Sequence, residues 1–556
     1  MTRTNMALAC LAVMMCICML RAAPGANDAL PDVMISSKDN YWQPGTATTA
    51  ANGTADIVVD ENSKAQAWEG FGGTFNEMGW DALSAVSSEI PRAMKLLFDE
   101  NEGANFVYGR VPLGASDYAM SWYTLAETAN DYSMTNFSIA RDREKLIPYI
   151  KAALAVKPDI HLWASPWVCP GWMKSGQNFK DDPNTLSAYA LYFARFIEEY
   201  KKEDLVIEAV HHQNEPGYAQ VKWTNALFVK FLRDYLGPKF AERNITAEIW
   251  CGTMSHPMDS TIAIDCMNDA NAMKYIKGFG LQWNLESVVP TLSKKGRVWQ
   301  TEHRCGNYNF TAKYWDQARY NSNKPQNDHL YGEESWQLIR DWVAAGVNSY
   351  CAWNMVLDSQ GKSLGNWPQN ALLVVNRSTR ELVITPAYWV FRHFSQYIDS
   401  GATRLNTSGS IDALAFLNPD GDIITQVYNK NDAGKKMTVQ VSGSYYQFDI
   451  PAHAWATLRT RTVVATKDLN ATRQSGAANG FRAVREGKGI RIVPPAHHSG
   501  GIIEIIGING RVLERFSLPH GSRDAGYLVH PSSAGMLVVR MINGNDVSVA
   551  RIVPAP

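Results

Sequence analysis

Two segments carry carboxylates where chemistry could use them. In Ala209-Val210-His211-His212-Gln213-Asn214-Glu215-Pro216 an apolar, strand-like run ends on Asn-Glu, and Pro216, which has no N–H, stops further ladder pairing. In Val298-Trp299-Gln300-Thr301-Glu302-His303 a second such run ends on a Glu. A carboxylic acid at a strand end can protonate a departing oxygen if burial or a neighbouring carboxylate raises its pKa. Paired with a second, ionised carboxylate about 5–5.5 Å away, it forms the acid/base and nucleophile of a double displacement at a glycosidic carbon. Taken singly, each segment also reads as an ordinary strand-to-turn junction. Their recurrence in one chain favours the chemical reading.

Other residues could serve such a pair. Arg110 closes an earlier strand-like run and could orient a carboxylate, and Asp117 just beyond it could accept hydroxyls. A structural ion pair is the plain alternative for both. Trp163 and Trp353 also lie near strand ends, where an indole face could support a flat ring; Trp172 reads more readily as packing. His211, His212, His256 and His303 show no HxxxH or comparable spacing, so neither a metal nor another cofactor is expected. His211 and His212 must point to opposite faces of their strand.

The elements that would position these residues follow from hydrophobic period. Residues 66–395 alternate short apolar runs (70–75, 105–113, 160–166, 206–213, 247–252, 276–283, 297–301 and 349–357) with amphipathic helical patterns such as 143–156, 185–201, 224–235 and 333–345. Eight strand–helix pairs predict a (β/α)₈ barrel, whose chemistry lies at the C-terminal strand ends. Residues 403–460 switch to short strands and turns, and 31–65 supplies a further strand to the same module, a β-sandwich over 31–65 and 396–460. Residues 461–484 read as a linker, and 485–556 as a small all-β domain.

The 556 residues carry 53 Lys plus Arg against 54 Asp plus Glu, a balance that offers no electrostatic footing for nucleic acid or a membrane surface. A basic start, a short apolar run and small residues predict a signal peptide over 1–26, with no membrane span in the mature chain and an extracellular destination. Five of the 8 Cys lie beyond that segment, with no CxxC pair; one bridge, Cys251–Cys266, is the most their spacing admits.

In order along 31–460, Glu69-Gly70-Phe71-Gly72-Gly73-Thr74-Phe75, Arg110, Trp163 to Trp172, Gln213-Asn214-Glu215-Pro216, Thr301-Glu302 and Trp353-Asn354 with Asp358 match a known pattern. His393-Phe394-Ser395-Gln396-Tyr397-Ile398 and Pro451-Ala452-His453 extend it. The chain resembles glycoside hydrolase family 30. The resemblance implies an α/β fold, a (β/α)₈ TIM barrel with a side β-sandwich. It implies Glu215 as acid/base and Glu302 as nucleophile, with Arg110, Asp117, Trp163, Asn214 and Trp353 lining the −1 sugar subsite and Asn214 holding the 2-OH. Where relatives have His-Trp-Tyr at the sixth strand end, this chain has Gln282-Trp283-Asn284, so a Tyr contact to the nucleophile is not carried over.

Substrates implied by the family are polysaccharides or oligosaccharides, with β-glucosyl linkages (β-1,6-glucan or glucosylceramide-like) favoured and xylan as the alternative. A non-catalytic sugar-binding protein on the same fold is the rival of another class, and the survival of both carboxylates argues against it. Residues 485–556 resemble bacterial sorting domains, which makes secretion machinery an expected partner; 461–556 contain no Trp, which disfavours a carbohydrate-binding module there. A monomer is expected.

Overall fold

A computed structural model describes residues 30–461, apart from 52, 218–219, 306–327 and 367, together with seven strands between 482 and 552. The expected signal peptide and most of the expected linker lie outside the described residues. Strand Arg482–Glu486 begins inside the stretch read as linker.

Eight parallel strands close a barrel: β1 (Gly70–Thr74), β2 (Tyr108–Pro112), β3 (His161–Ser165), β4 (Ile207–His211), β5 (Glu248–Met254), β6 (Ile276–Gln282), β7 (Arg297–Glu302) and β8 (Ser349–Asn354). Successive strands are neighbours and β8 returns to β1. The strands read as apolar runs because helices cover one face and interior side chains fill the other. That filling is aromatic: Trp163, Trp250 and Trp299 cluster with Cys351 in the barrel interior, and the Trp250 and Trp299 rings lie 4.0 Å apart.

The helices have local reasons to start and stop. Pro183–Lys202 begins with Pro in its first turn, and the Asp182 side chain accepts from the Asn184 and Thr185 N–H groups. His329–Ala345 is capped by Asp328 and ends at Gly346 in the left-handed region, φ 114°. Its buried face carries Trp336, Ile339, Trp342 and Val343, the residues whose period predicts it. Two expectations need correction. The helix expected over 224–235 is α-helical only over Asn225–Phe231, then widens to a π-turn at Leu232–Leu236, just before Pro238, which has no N–H to donate back into the ladder. The run 349–357 breaks after Asn354, and Val356–Asp358 pairs with Leu373–Asn376 outside the barrel.

A ten-stranded sheet forms the side module and joins both ends of the 30–461 region. Asp32–Ser37 lies between its hairpin partner Asn40–Thr46 and Ala454–Thr460, and Asp32 ion-pairs with Arg461. Ile57–Ala67 pairs with Thr403–Gly409 and Lys435–Val441. The module encloses its own core, including Ile57, Leu405, Val427, Val439 and Phe448.

Sandwich and barrel meet through buried polar contacts. His393, on the last barrel helix, contacts Ser36 Oγ (2.9 Å) and Thr457 Oγ1 (2.7 Å). Glu333 accepts from the Tyr428 hydroxyl (2.6 Å) and from His453 Nδ1 (2.7 Å), while His453 Nε2 reaches Asp432 at 2.9 Å. Both ring nitrogens donate only in the imidazolium, so Asp432 and Glu333 raise the His453 pKa above 6.5. A folded-state pKa above the unfolded value gives stability fully present below pH 6.5 and lost as pH rises through the folded pKa. His453→Ala should therefore lower Tm more at pH 6 than above the folded pKa, where only the neutral contact is lost. The imidazole is 40% exposed, so screening limits the difference at pH 6 to about 1–2 °C. Calorimetry of both proteins at several pH values checks it; a pH-independent difference would refute it.

Residues Val463–Pro556 form a separate compact unit. Its described strands make a three-stranded sheet (Arg482–Glu486, Gly489–Val493, Tyr527–Val529) and a four-stranded antiparallel sheet (Val512–Leu518, Gly501–Gly507, Leu537–Asn543, Asp546–Ile552).

Candidate active site

Glu215 follows β4 and Glu302 ends β7, so both lie at the C-terminal mouth of the barrel. Arg110, on β2, ties the two sides together. This fully buried guanidinium donates to Glu302 Oε2 at 2.7 Å, to Asn214 Oδ1 at 2.6 Å, to Ser165 Oγ at 3.1 Å and to the Thr301 carbonyl at 3.3 Å. Its charge also lies 4.2 Å from the Trp167 ring centroid, with Trp163 and Trp353 at 5.2 and 5.5 Å. A buried cation so fully occupied is a fixed element of the site.

Glu302 has a second donor. Trp283 Nε1 reaches Oε1 at 2.9 Å, and the Trp283 backbone adopts φ 62° to present it. Burial raises the Glu302 carboxyl above its ordinary pKa, while Arg110 and the Trp283 N–H pull the other way. Glu215 has no such cation. Burial, and then the negative charge of Glu302, push it up to about 8, with Asp117 and Asp259 adding to the rise. Of the two, Glu302 loses its proton first. Gln282, whose Cα pairs with that of Glu302, donates to Glu215 Oε1 at 3.2 Å and so spans from one carboxylate strand to the other.

The Glu215 backbone is left-handed, φ 47°, which costs about 1–3 kcal/mol in a residue with a Cβ. Neighbouring strands hold it there. The Glu215 N–H donates to the Thr253 carbonyl and the Asn214 N–H to the Pro166 carbonyl, each at 2.9 Å. Asn214 Oδ1 accepts from Arg110 and from Thr253 Oγ1 (2.8 Å), which fixes the amide orientation and turns its Nδ2 donor away from both.

Asp117 stands near this pair. Its Oδ1 is buried without a hydrogen-bond partner, and burial followed by the charge of Glu302 pushes its carboxyl up to about 7. An unsatisfied polar atom of this kind fits a sugar hydroxyl. Trp353 is held by its Nε1–H to Gln369 Oε1 (2.9 Å) and stacks on Trp167 at 5.3 Å.

The structure thus brings Glu215, Glu302, Arg110, Asn214, Asp117 and Trp353 to one mouth. Trp163 lies deeper. Its ring packs on His211 (4.4 Å) and near Trp299 in the barrel interior, beneath Arg110. The reason is position: Trp163 is the third of five residues in β3, whereas Trp167, two residues past the strand, rises to the mouth. Sequence reasoning also missed Trp283, although its segment stood out, because nothing in the sequence shows which way a left-handed residue aims its side chain.

The two histidines of β4 are held by packing and hydrogen bonding. His211 points inward, with Nδ1 on the Gly252 carbonyl (2.7 Å), and burial lowers its pKa to about 3. His212 packs outward among Trp223, Phe228 and Phe231, and burial holds its pKa well below 6.5. Among the described residues no group of His, Cys, Asp and Glu could hold a metal ion. No helix among them is long and apolar enough to cross a membrane. The one bridge the spacing admits, Cys251–Cys266, is not formed: all five described cysteines are free and buried. Burial, then the neighbouring Cys266 thiol, raises the pKa of Cys251 well above 9.0.

Comparison with known proteins agrees with this geometry. The model of the glycosyl hydrolase family 30 TIM-barrel domain matches residues 68–398, and that of the family 30 beta sandwich domain matches 401–458. The chain is 27% identical to a putative glucosylceramidase of Caenorhabditis elegans, over 74% of this chain and 84% of the relative. It is 24% identical to an endo-1,6-beta-D-glucanase of Aspergillus fumigatus, over 74% and 89%. A solved endo-beta1,6-glucanase superposes with TM-score 0.66 at 21% identity, covering 78% of this chain and 99% of that one. With a strand-end carboxylate pair in a closed eight-stranded barrel and family models spanning barrel and sandwich, the chain belongs to glycosyl hydrolase family 30.

Proposed function

We propose that this chain is an exported, retaining β-glycoside hydrolase acting by double displacement, with β-glucosyl linkages of a β-1,6-glucan or glucosylceramide-like glucoside as its substrate. The observation that carries the mechanism is the asymmetry of the two carboxyls. Glu302 is held by Arg110 and Trp283 as an anion, while Glu215 keeps a proton to about pH 8. Glu302 attacks the anomeric carbon as Glu215 protonates the leaving oxygen. Water then attacks the glycosyl-enzyme, with Glu215 now the base. Asp117 Oδ1 and Asn214 Nδ2 meet the sugar hydroxyls, and Trp167 and Trp353 wall the subsite.

The glucosyl preference rests on the names of the curated relatives, glucosylceramidases and endo-1,6-beta-glucanases. Export rests on the N-terminal sequence, and a sorting or spacing role for 485–556 on its short strands and lack of Trp.

The pair titrates as a unit. We expect kcat/KM to be bell-shaped in pH, falling on the acid side as Glu302 is protonated and on the alkaline side near pH 8 as Glu215 loses its proton. A kinetic titration on a nitrophenyl glucoside, pustulan and glucuronoxylan measures this and the linkage together. Proton NMR of fresh product should show the β-anomer first; the α-anomer would mean inversion and remove Glu302 as nucleophile.

A further inference from the structure

The loop that carries Glu215 is fastened from one side by a carboxylate for which the double displacement has no use. Asp259 lies in the first turn of helix Pro257–Asn268, which follows β5, and is fully buried. Its Oδ1 accepts from the Gly217 N–H at 2.8 Å, two residues past Glu215. Its Oδ2 accepts from the Ser255 N–H at 3.1 Å and faces the Ser255 hydroxyl at 3.4 Å. The Ser255 hydroxyl also neighbours the Glu215 carboxyl and favours its charged form. One carboxylate therefore grips the backbone after the acid/base and the residue that neighbours its side chain. The fit is close: a Cβ on Gly217 would stand 2.3 Å from Asp259 Oδ1, so only glycine lets the backbone approach.

Resting on the assignment of Glu215 as acid/base, we infer that Asp259 is a positioning residue that locks the strained acid/base loop in place and helps keep Glu215 protonated. A left-handed glutamate needs such restraint, because release of the loop would let φ relax and carry the carboxyl away from the leaving oxygen. The charge of Asp259 works in the same direction. The charged groups facing Glu215 are Glu302 from β7, Asp117 from the loop after β2 and Asp259 from the helix after β5, all acidic. Gln282 and Ser255 are its neutral partners, and His256 faces Asp259. Burial raises the Asp259 carboxyl, against the N–H groups of Ser255, Gly217 and His256 and the charge of His256.

Two variants of the full chain separate charge from geometry. Asp259→Asn removes the charge and the acceptor for Ser255. The alkaline limb of kcat/KM should move down by roughly half a pH unit or more. Gly217→Ala keeps the charge and breaks the grip. It should lose about tenfold on a glycan with an unactivated leaving group and far less on a nitrophenyl glycoside, which needs little protonation, with the alkaline limb unmoved. A wild-type limb in Asp259→Asn, or an equal loss on both substrates in Gly217→Ala, overturns the inference. Should thermal melting show Asp259→Asn unfolded, Gly217→Ala alone decides it by the same substrate contrast. A wild-type chain that hydrolyses no glycoside would instead overturn the acid/base reading itself.

Discussion

Glu302→Ala should reduce kcat on every substrate by roughly 10⁴-fold or more, because no other group in the mouth can form the glycosyl-enzyme. Good and poor leaving groups should suffer alike, since the nucleophile is needed in both. Azide should restore part of the turnover by entering the space the carboxylate leaves, attacking once from the α face and giving an α-glycosyl azide. The substitution also leaves Arg110 buried beside a missing partner, and unpaired buried charge is costly. Tm should therefore fall as well, and Glu302→Gln, which keeps an acceptor oxygen, separates the two effects. Glu302→Gln should be as inactive and closer to wild type in melting. Measurable wild-type-like hydrolysis by either variant, in protein purified free of host glycosidase, would remove Glu302 from the nucleophile's role.

Glu215→Ala should behave differently, and the contrast is more informative than either loss. Substrates whose leaving oxygen needs a proton should slow by about 10²–10⁴-fold. Dinitrophenyl glycosides should still form the glycosyl-enzyme quickly and then stall, because water lacks its base, and a burst followed by slow turnover would report that. Azide needs no base. It should speed the second step and give a β-glycosyl azide, since it attacks the intermediate from the face opposite Glu302. The alkaline limb should vanish with the group that causes it. An equal loss on aryl and natural glycosides, with no burst, would mean that Glu215 does not transfer the proton.

The barrel strands were legible because each is a short apolar run buried on both faces, and the strand ends that meet at the mouth carry a polar break in that run: Arg110, Asn214-Glu215, Thr301-Glu302 and Trp353-Asn354. The pair of glutamates followed from that pattern alone. What was not legible depends on side-chain direction. Trp163 and Trp167 both lie in one aromatic segment, and only the observed end of β3 separates interior packing from the mouth. Trp283 reaches Glu302 and Glu215 meets Gln282 through left-handed backbones, which L-residues adopt rarely and sequence does not announce. Asp259 lies on the helix after β5, and its grip on Gly217 appears only when β4 and β5 are side by side. Cys251 and Cys266 were close enough in sequence to admit a bridge, yet they stay free thiols on β5 and the helix that follows.

The strand Asp32–Ser37 is stitched to the far end of the sandwich, and Asp32 and Arg461 stand 429 residues apart in sequence. During synthesis the hairpin 32–46 is made before the barrel and its partner Ala454–Thr460 after it, so the sheet cannot be completed until the whole barrel has left the ribosome. Closing so long a loop is slow, and until it closes Asp32–Ser37 and Ile423–Asn429 each present an unpaired row of N–H and C=O groups, since Ala454–Thr460 is the one strand that separates them. A chain cut before residue 454 would keep both glutamates and every barrel strand, and would still be prone to edge-to-edge aggregation.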